Sequence, residues 1–512
     1  MGTDLLFFYK DKVKKQWKIA FWAAFAACLL IHIYKFTNPI LNHDSVFNVY
    51  TDQNMTASGR WLLQYACGIS SYFDLHWVNG LLCAMYLGLT TAIVTELFDL
   101  KNPVVIALCG AFLAGTPSTT ETLFFGFTAD GYLLGITLCA LAALLSCKGR
   151  GLLRNVLSGT CICAVCAIYQ AYISFAGVLC VCWMVNQLLE NKMTVKDAWK
   201  WIGRHLAIYA LALAAYYAIW KGIMAVTGIQ ANDYQGISTA GQISIGTIIG
   251  GAVKSVKNLF FFFLEWNILE HPVTLYAALN IVFLIALAAV VCIALVKSGC
   301  IRQPGKLVTI LFALAATVPM ISLLCFISDG VDYRPMMLHS VAVLYLFAVM
   351  LFDRWTAPKL STAFGLLIAV MIFNFAVMAN VGYSALDACY EKSYYMGSRM
   401  MERIEQLREE EEIHSIHIVG NLKAEAIIDD TLPYSRVHLM TTLIEDHLLY
   451  DPEHVYPFLR NTFDLELPLP EADVRRALEN SDAVADMGVW PADNSVQVVD
   501  GVLVIKLDEI TV

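Results

Sequence analysis

The chain has 512 residues, of which 58% are hydrophobic and only 15% charged, with a net charge of −9. A soluble domain runs nearer half apolar and about a quarter charged, so this composition belongs to a membrane protein. It excludes a disordered chain, a nucleic-acid-binding module and a secreted disulfide scaffold.

The charge is unevenly divided. Residues 1–381 hold 24 Lys and Arg against 17 Asp and Glu, whereas 382–512 hold 10 against 26. The expected organisation is therefore a transmembrane domain over 1–381 and an acidic soluble domain over 382–512. Fourteen of the fifteen cysteines precede residue 382, mostly inside apolar runs, where a thiol behaves as a small hydrophobe. Cys161, Cys163 and Cys166 lack His or carboxylate neighbours and read as core packing, not as a zinc site.

A membrane helix needs about 20 mostly apolar residues. Lys10, Lys12, Lys14, Lys15 and Lys18 lead into a first span near 18–36, read as an uncleaved anchor because its apolar run continues unbroken. Ten more runs lie near 76–96, 103–117, 130–147, 152–168, 171–189, 205–226, 273–296, 307–327, 336–352 and 360–381. The expectation is an all-α polytopic protein of about eleven transmembrane helices. Orientation follows from Lys and Arg in short loops. Eighteen fall on the N-terminal side, Arg150 among them, against Lys35, Arg60, Lys221, Lys254, Lys257 and Arg334 opposite. The N-terminus is thus expected in the cytoplasm and the tail outside.

The tail begins with a helix-like segment from Tyr390 to Glu412, followed by an alternating strand over 413–419 and a Gly420-Asn421 turn. Val496–Val499, Asp500-Gly501 and Val502–Lys506 carry the signature of a two-residue hairpin. A small α/β extracytoplasmic domain is expected. It holds no nucleophile elbow, phosphate loop or metal-spaced His pair, so docking or structural capping is its expected role.

The spans are nearly free of charge, which argues against an ionisable path through the bilayer and for chemistry at the outer surface. The first outer loop, 37–75, is rich in aromatic residues and reads as interfacial helices. Asp44 lies about eight residues beyond the first span. There it could take a proton from an attacking hydroxyl or cap a short helix. The second outer loop offers Glu121 and Asp130, the latter equally placed to cap the span that follows. Tyr169, Gln170 and Tyr172 set two phenols and an amide at an outer turn, suited to sugar hydroxyls or to satisfying the turn itself. Arg60 beside Trp61, Arg334, and Lys254 with Lys257 before a Phe-rich run are the candidate contacts to a donor phosphate, or to anionic lipid headgroups.

Taken in order, Asn42-His43-Asp44, Gly59-Arg60-Trp61-Leu62, Thr128-Ala-Asp130-Gly-Tyr132, Tyr169-Gln170-Ala-Tyr172, Tyr333-Arg334-Pro335 and Met378-Ala-Asn-Val-Gly-Tyr383 resemble the bacterial GtrII-type glucosyltransferases of the GT-C class. The resemblance implies a polyprenyl-phosphate-linked hexose as donor. It implies an envelope glycan as acceptor, such as O-antigen or teichoic acid, at the outer face of the cytoplasmic membrane. It gives the role of base to Asp44, with His43 standing where many members have a first acid, so the division of roles between the two stays open. Inversion at the anomeric carbon also comes from the class. No cofactor and no metal are expected. The competing readings are a lipid-linked sugar flippase and a structural component of a glycan-assembly complex.

Overall fold

The computed structural model describes residues 8–149, 151–232, 244–264, 274–328, 330–422 and 447–509. Arg150, used in the orientation argument, lies outside them. The chain packs into two compact units. One holds the residues up to 38 and residues 50–380, and the other holds Pro39–Val49 and the residues from Val381 onward.

In the first unit, α1 (Lys15–Thr37) buries Ala20, Ala24 and Cys28, one small residue per turn. Such a stripe lets neighbouring helices approach closely. α2 (His76–Leu97) and α3 (Pro103–Gly115) pack on it. A methyl group at Gly110 would lie 3.0 Å from the Ala24 backbone nitrogen. α4 (Pro117–Phe124) follows α3 at an angle of 41°. Pro117 keeps Thr116 extended, and Thr116 Oγ1 accepts the Ser118 amide at 3.2 Å, so one helix stops and the next starts. The span expected at 103–117 is therefore the first arm of a bent pair.

α5 (Ala129–Lys148) and α6 (Leu152–Ile168) are followed by a 3-10 turn at Gln170–Tyr172 and by α7 (Ile173–Leu189). α8 (Val195–Thr227) is capped by Thr194 and ends at Gly228, whose φ is +72°. α9 (Ile245–Leu264) occupies what the sequence reading leaves as an outer loop. Its buried positions are Thr247, Gly251 and Ser255 at four-residue spacing, followed by Phe262 and Phe263, while Ile248, Ile249, Val253 and Val256 are exposed. In its first three turns, small residues inside and large apolar ones outside suit a helix whose solvent is lipid. α10 (Leu275–Lys297), α11 (Pro304–Ile321), 3-10 turns at Leu323–Phe326 and Pro335–Met337, and α12 (His339–Trp355) follow. α13 (Pro358–Glu410) is continuous over 53 residues, so the helix expected to begin at Tyr390 is the far part of one that starts before the last span.

Among the described residues nine helices are long and apolar enough to cross a membrane, or ten if α3 and α4 count as one. The expectation of about eleven differs in two ways. α6 and α12, with 17 residues each, sit at the short limit of a span, and α9 is added.

The second unit contains a three-stranded mixed sheet in the order β1-β3-β2, from β1 (Ser415–Val419), β2 (Val496–Val499) and β3 (Val502–Lys506). β2 and β3 form the expected hairpin. Asp500 and Gly501 both have positive φ, 52° and 76°, as the tight turn between right-twisted strands requires. β1 adds in parallel to β3, from Ser415 opposite Val502 to Val419 opposite Lys506. Val419, Leu478, Val484, Met487, Val502 and Val504 make the core. Lys506 is fully buried and donates its ammonium protons to the carbonyls of Ala485 and Met487 at 3.1 and 2.9 Å. α14 (Pro452–Phe463) packs on the far part of α13, where a methyl group at Gly397 would collide with the Phe463 ring. α15 (Ala472–Glu479) carries Glu479, the partner of His417 on β1.

Candidate functional site

Nine of the eleven sequence-predicted site residues belong to the first unit and two, His43 and Asp44, to the second. In the first unit a short 3-10 turn at Thr56–Ser58 ends at Gly59, in the left-handed region with φ +79°. The carbonyls around this turn are bonded to side chains from elsewhere. Tyr216 OH donates to Gly59 O at 3.0 Å, Gln170 Nε2 to Ser58 O at 2.9 Å, and Trp220 Nε1 to Thr56 O at 2.7 Å. Gln170 thus satisfies a turn, the structural alternative raised from the sequence. A Cβ at residue 59 would lie 2.3 Å from Tyr216 OH, so conformation and space both require glycine.

This anchoring sets the direction of Arg60. The residue is 9% exposed, and its guanidinium lies over the Tyr169 ring at 4.5 Å. Tyr169 stacks on Tyr132 at 4.8 Å, and Tyr172 meets both rings edge-on at 4.9 and 5.9 Å. Tyr172 in turn faces His339 at 5.4 Å, and His339 Nε2 is 2.9 Å from Thr122 Oγ1. The result is a buried wall of rings with an arginine at one edge and an imidazole at the other. A guanidinium above a ring face is attracted by the ring's quadrupole, the more so where both are shielded from water.

Asp130, on the first turn of α5, is 3% exposed, and its Oδ1 accepts the Gly131 amide at 2.8 Å. Its helix starts against residues 66 and 67, close enough that a Cβ at Gly131 would be 3.1 Å from Cys67 Cβ. Burial, with the Asp130 charge adding to it, pushes the Cys67 thiol up to about 12, so it stays protonated. Trp61 is half-buried, and its indole N–H has no hydrogen-bond partner among the described residues.

Arg334 precedes the Pro335–Met337 turn, which packs on α4. Its neighbour Tyr333 is buried, and its hydroxyl accepts the Leu324 amide at 3.2 Å, on the turn that packs against Gln170–Tyr172. Arg334 is half-buried, with no hydrogen bond or ion pair from its guanidinium among the described residues. Lys254 is half-buried and Lys257 exposed, both on α9, which packs on the Leu323–Phe326 turn. The structure therefore gathers Arg60, Tyr169, Gln170 and Tyr172, brings the Arg334 loop to the tyrosines through Tyr333, and places the two lysines on a separate helix.

Two more buried polar groups belong to these elements: Glu121, already offered by the second outer loop, and His339, which the sequence reading did not single out. Glu121 is fully buried on α4, a helix in which all eight residues, four of them Ser or Thr, are buried. His339 is the first residue of α12. The sequence signal for Glu121 was polarity: Ser118-Thr-Thr-Glu-Thr122 has no place in a lipid-facing turn.

In the second unit Asp44 stands at the N-cap position of a short helix, Ser45–Asn48, but makes no side-chain cap bond. Asn42 takes that role: its Oδ1 accepts the Ser45 amide at 2.8 Å and the Ser45 hydroxyl as well. Asp44 keeps a side chain 34% exposed, with Oδ1 3.4 Å from Nε2 of the buried His43. The segment is held by α14. Asn461 Nδ2 donates to Val46 O at 3.1 Å, and Phe47 meets the His454 ring edge-on at 5.2 Å. His454 is itself fixed between Asp451 Oδ1 at 2.7 Å and Tyr450 OH at 2.9 Å.

The described residues thus combine helices long and apolar enough to cross a membrane with a buried wall of phenols edged by a guanidinium. Residues 33–352 match the family Glucosyl transferase GtrII, and the chain belongs to that family of glucosyltransferases. No curated protein and no solved structure matches the chain.

Proposed function

We propose that the chain moves a hexose, glucose by its family, from a polyprenyl-phosphate carrier to an envelope glycan at the outer face of the bacterial cytoplasmic membrane, as GT-C enzymes do. The acceptor hydroxyl attacks the anomeric carbon, the bond from that carbon to the phosphate oxygen breaks, and the configuration inverts. Asp44 takes the hydroxyl proton, oriented by His43. Arg334 and Arg60 hold the departing phosphate, whose developing charge gains most from donors already fixed in place. Tyr169, Tyr172 and Trp61 offer ring faces and hydroxyls to the sugar, with Asp130 as the alternative base. A phosphate is a good leaving group, so the step needs no general acid.

The observation that carries this reading is the state of Arg334. A half-buried guanidinium without a partner among the described residues, on a loop leading to a tyrosine wall, is costly unless an anion meets it. For Asp44 the support is that Asn42 has taken the capping role, leaving the carboxylate beside an imidazole. A second reading, flipping of a lipid-linked sugar without chemistry, draws on the bent α3–α4 pair, since broken helices with buried polar segments line many transport paths. One experiment separates the two: the reconstituted chain supplied with radiolabelled polyprenyl-phosphate hexose and an acceptor extract. Label joined to glycan supports transfer. Label moved across the bilayer and still lipid-linked refutes it.

A further inference from the structure

At the Lys148 end of α5, three helices bring together groups that play no part in the wall of rings. Cys147 on α5, Cys180 on α7 and His205 on α8 are each buried, with 7%, 3% and 5% exposure. Among the described residues they are the one group of three metal-ligating side chains whose ligand atoms all lie within 4.8 Å of one another. Cys147 Sγ is 3.6 Å from Cys180 Sγ and 4.0 Å from His205 Nε2. Around a tetrahedral zinc ion with the usual bond lengths, two sulfurs sit roughly 3.8 Å apart and a sulfur and an imidazole nitrogen roughly 3.5 Å apart. The observed separations fall within about half an ångström of these values, and the sulfurs are far too distant for a disulfide.

The surroundings fit a ligand set as well. His205 Nδ1 is 2.9 Å from the Trp201 carbonyl, so it carries the proton and turns the Nε2 lone pair toward the thiols. This backbone contact is the one that metal-bound histidines commonly make. Tyr209 OH lies 3.5 Å from Cys180 Sγ. Arg204 donates to the carbonyls of Ser146 and Gly149, which places a positive charge next to Cys147. Two thiolates and a divalent cation sum to zero charge, the state a buried site favours.

We propose that Cys147, Cys180 and His205 bind one d10 cation of the zinc class, which ties α5, α7 and α8 together. On binding, each thiol gives its proton to water and each sulfur donates a pair to the metal. The inference is independent of the sugar-transfer reading.

The test uses the full chain purified in detergent under reducing conditions and equilibrated with zinc or cobalt. The expected result is one zinc per chain by elemental analysis, and for cobalt a thiolate charge-transfer band. Cys147→Ser and Cys180→Ser should each lose both signals, while Cys161→Ser, on α6, keeps them. His205→Gln should weaken zinc by at least about tenfold to a hundredfold, the range seen when even an outer-shell partner is lost. Zinc released from the wild-type chain by a mercurial and read with a chelating dye covers the case in which the serine variants do not fold. No stoichiometric zinc in the wild type, no mercurial release, or a cobalt band retained by Cys147→Ser would overturn the proposal.

Discussion

Asparagine in place of Asp44 keeps the size and most of the hydrogen-bonding capacity of the side chain but cannot accept a proton. Its structural cost should be small, because the Ser45 amide is already bonded to Asn42 and not to residue 44. A partly exposed side chain without a cap bond falls among substitutions worth no more than about 0.5 kcal/mol. The kinetic cost, if Asp44 is the base, is about 10²–10⁴ in rate, or roughly 2.7–5.4 kcal/mol of barrier. The two magnitudes do not overlap. Purified Asp44→Asn should therefore melt with the wild type, bind donor normally, and lose at least ~10²-fold in single-turnover transfer. Asn42→Ala is the reciprocal control. It removes the cap, at about 1 kcal/mol, and leaves the carboxylate in place. His43→Ala should cost less than Asp44→Asn if the imidazole only orients, and as much if it takes the proton itself. Turnover within a few-fold of wild type in Asp44→Asn would refute the assignment and move the base to Asp130.

Arg334→Lys keeps the charge and loses the fork, so donor KM should rise roughly tenfold to a hundredfold, the worth of one charge-assisted hydrogen bond. An unchanged KM in both Arg334→Lys and Arg334→Ala would assign the residue to lipid headgroups. Gly59→Ala should destabilise the first unit by about 1–3 kcal/mol and weaken donor binding, because a left-handed residue would force its Cβ into Tyr216 OH. A wild-type melting curve would show that the turn is not held as described. In the tail, burial holds the His417 imidazole below its ordinary value, with the Glu479 carboxylate opposing the shift. The folded state then binds fewer protons than the unfolded one. Its full stability is present above about pH 6.5 and is lost as the pH falls toward the folded value. Protection of the β1 amides from hydrogen exchange should decline over that window and become flat in His417→Gln; an equal decline in the variant would remove His417 as the cause. Finally, a reporter active only outside the cell should work when fused after residue 512, and a cytoplasmic signal there would reverse the orientation read from the lysines.

The sequence discloses periodicity and turn chemistry better than it discloses who packs against whom. The hairpin was legible because Asp500-Gly501 can adopt two positive φ values, and α1, α2, α5 and α7 because their apolar runs have the length of a span. α9 was not, since Lys254 and Lys257 interrupt its apolar run without breaking the helix. α13 runs past the change in composition because polarity marks the solvent, whereas Asp387, Glu391 and Lys392 leave the helical backbone intact. At the candidate site Arg60, Tyr169 and Tyr172 were identifiable as scarce polar groups in an apolar chain, but their stacking was not. The Asn42–Asp44 choice was undecidable from spacing, because both are acceptable cap residues and only the backbone says which carboxyl-type oxygen faces the amide.

Val46 and Asn461 are joined by a hydrogen bond although 415 residues separate them in sequence. On a ribosome moving at about 5–20 residues per second, the early segment is complete roughly 20 to 80 s before α14 exists to receive it. Its apolar members, Val46 and Val49, are both buried once folded, so for that interval they need a temporary cover. The order of synthesis thus makes a late segment, α14, responsible for fixing a much earlier one, and deleting α14 would leave the Asp44 segment permanently in its waiting state.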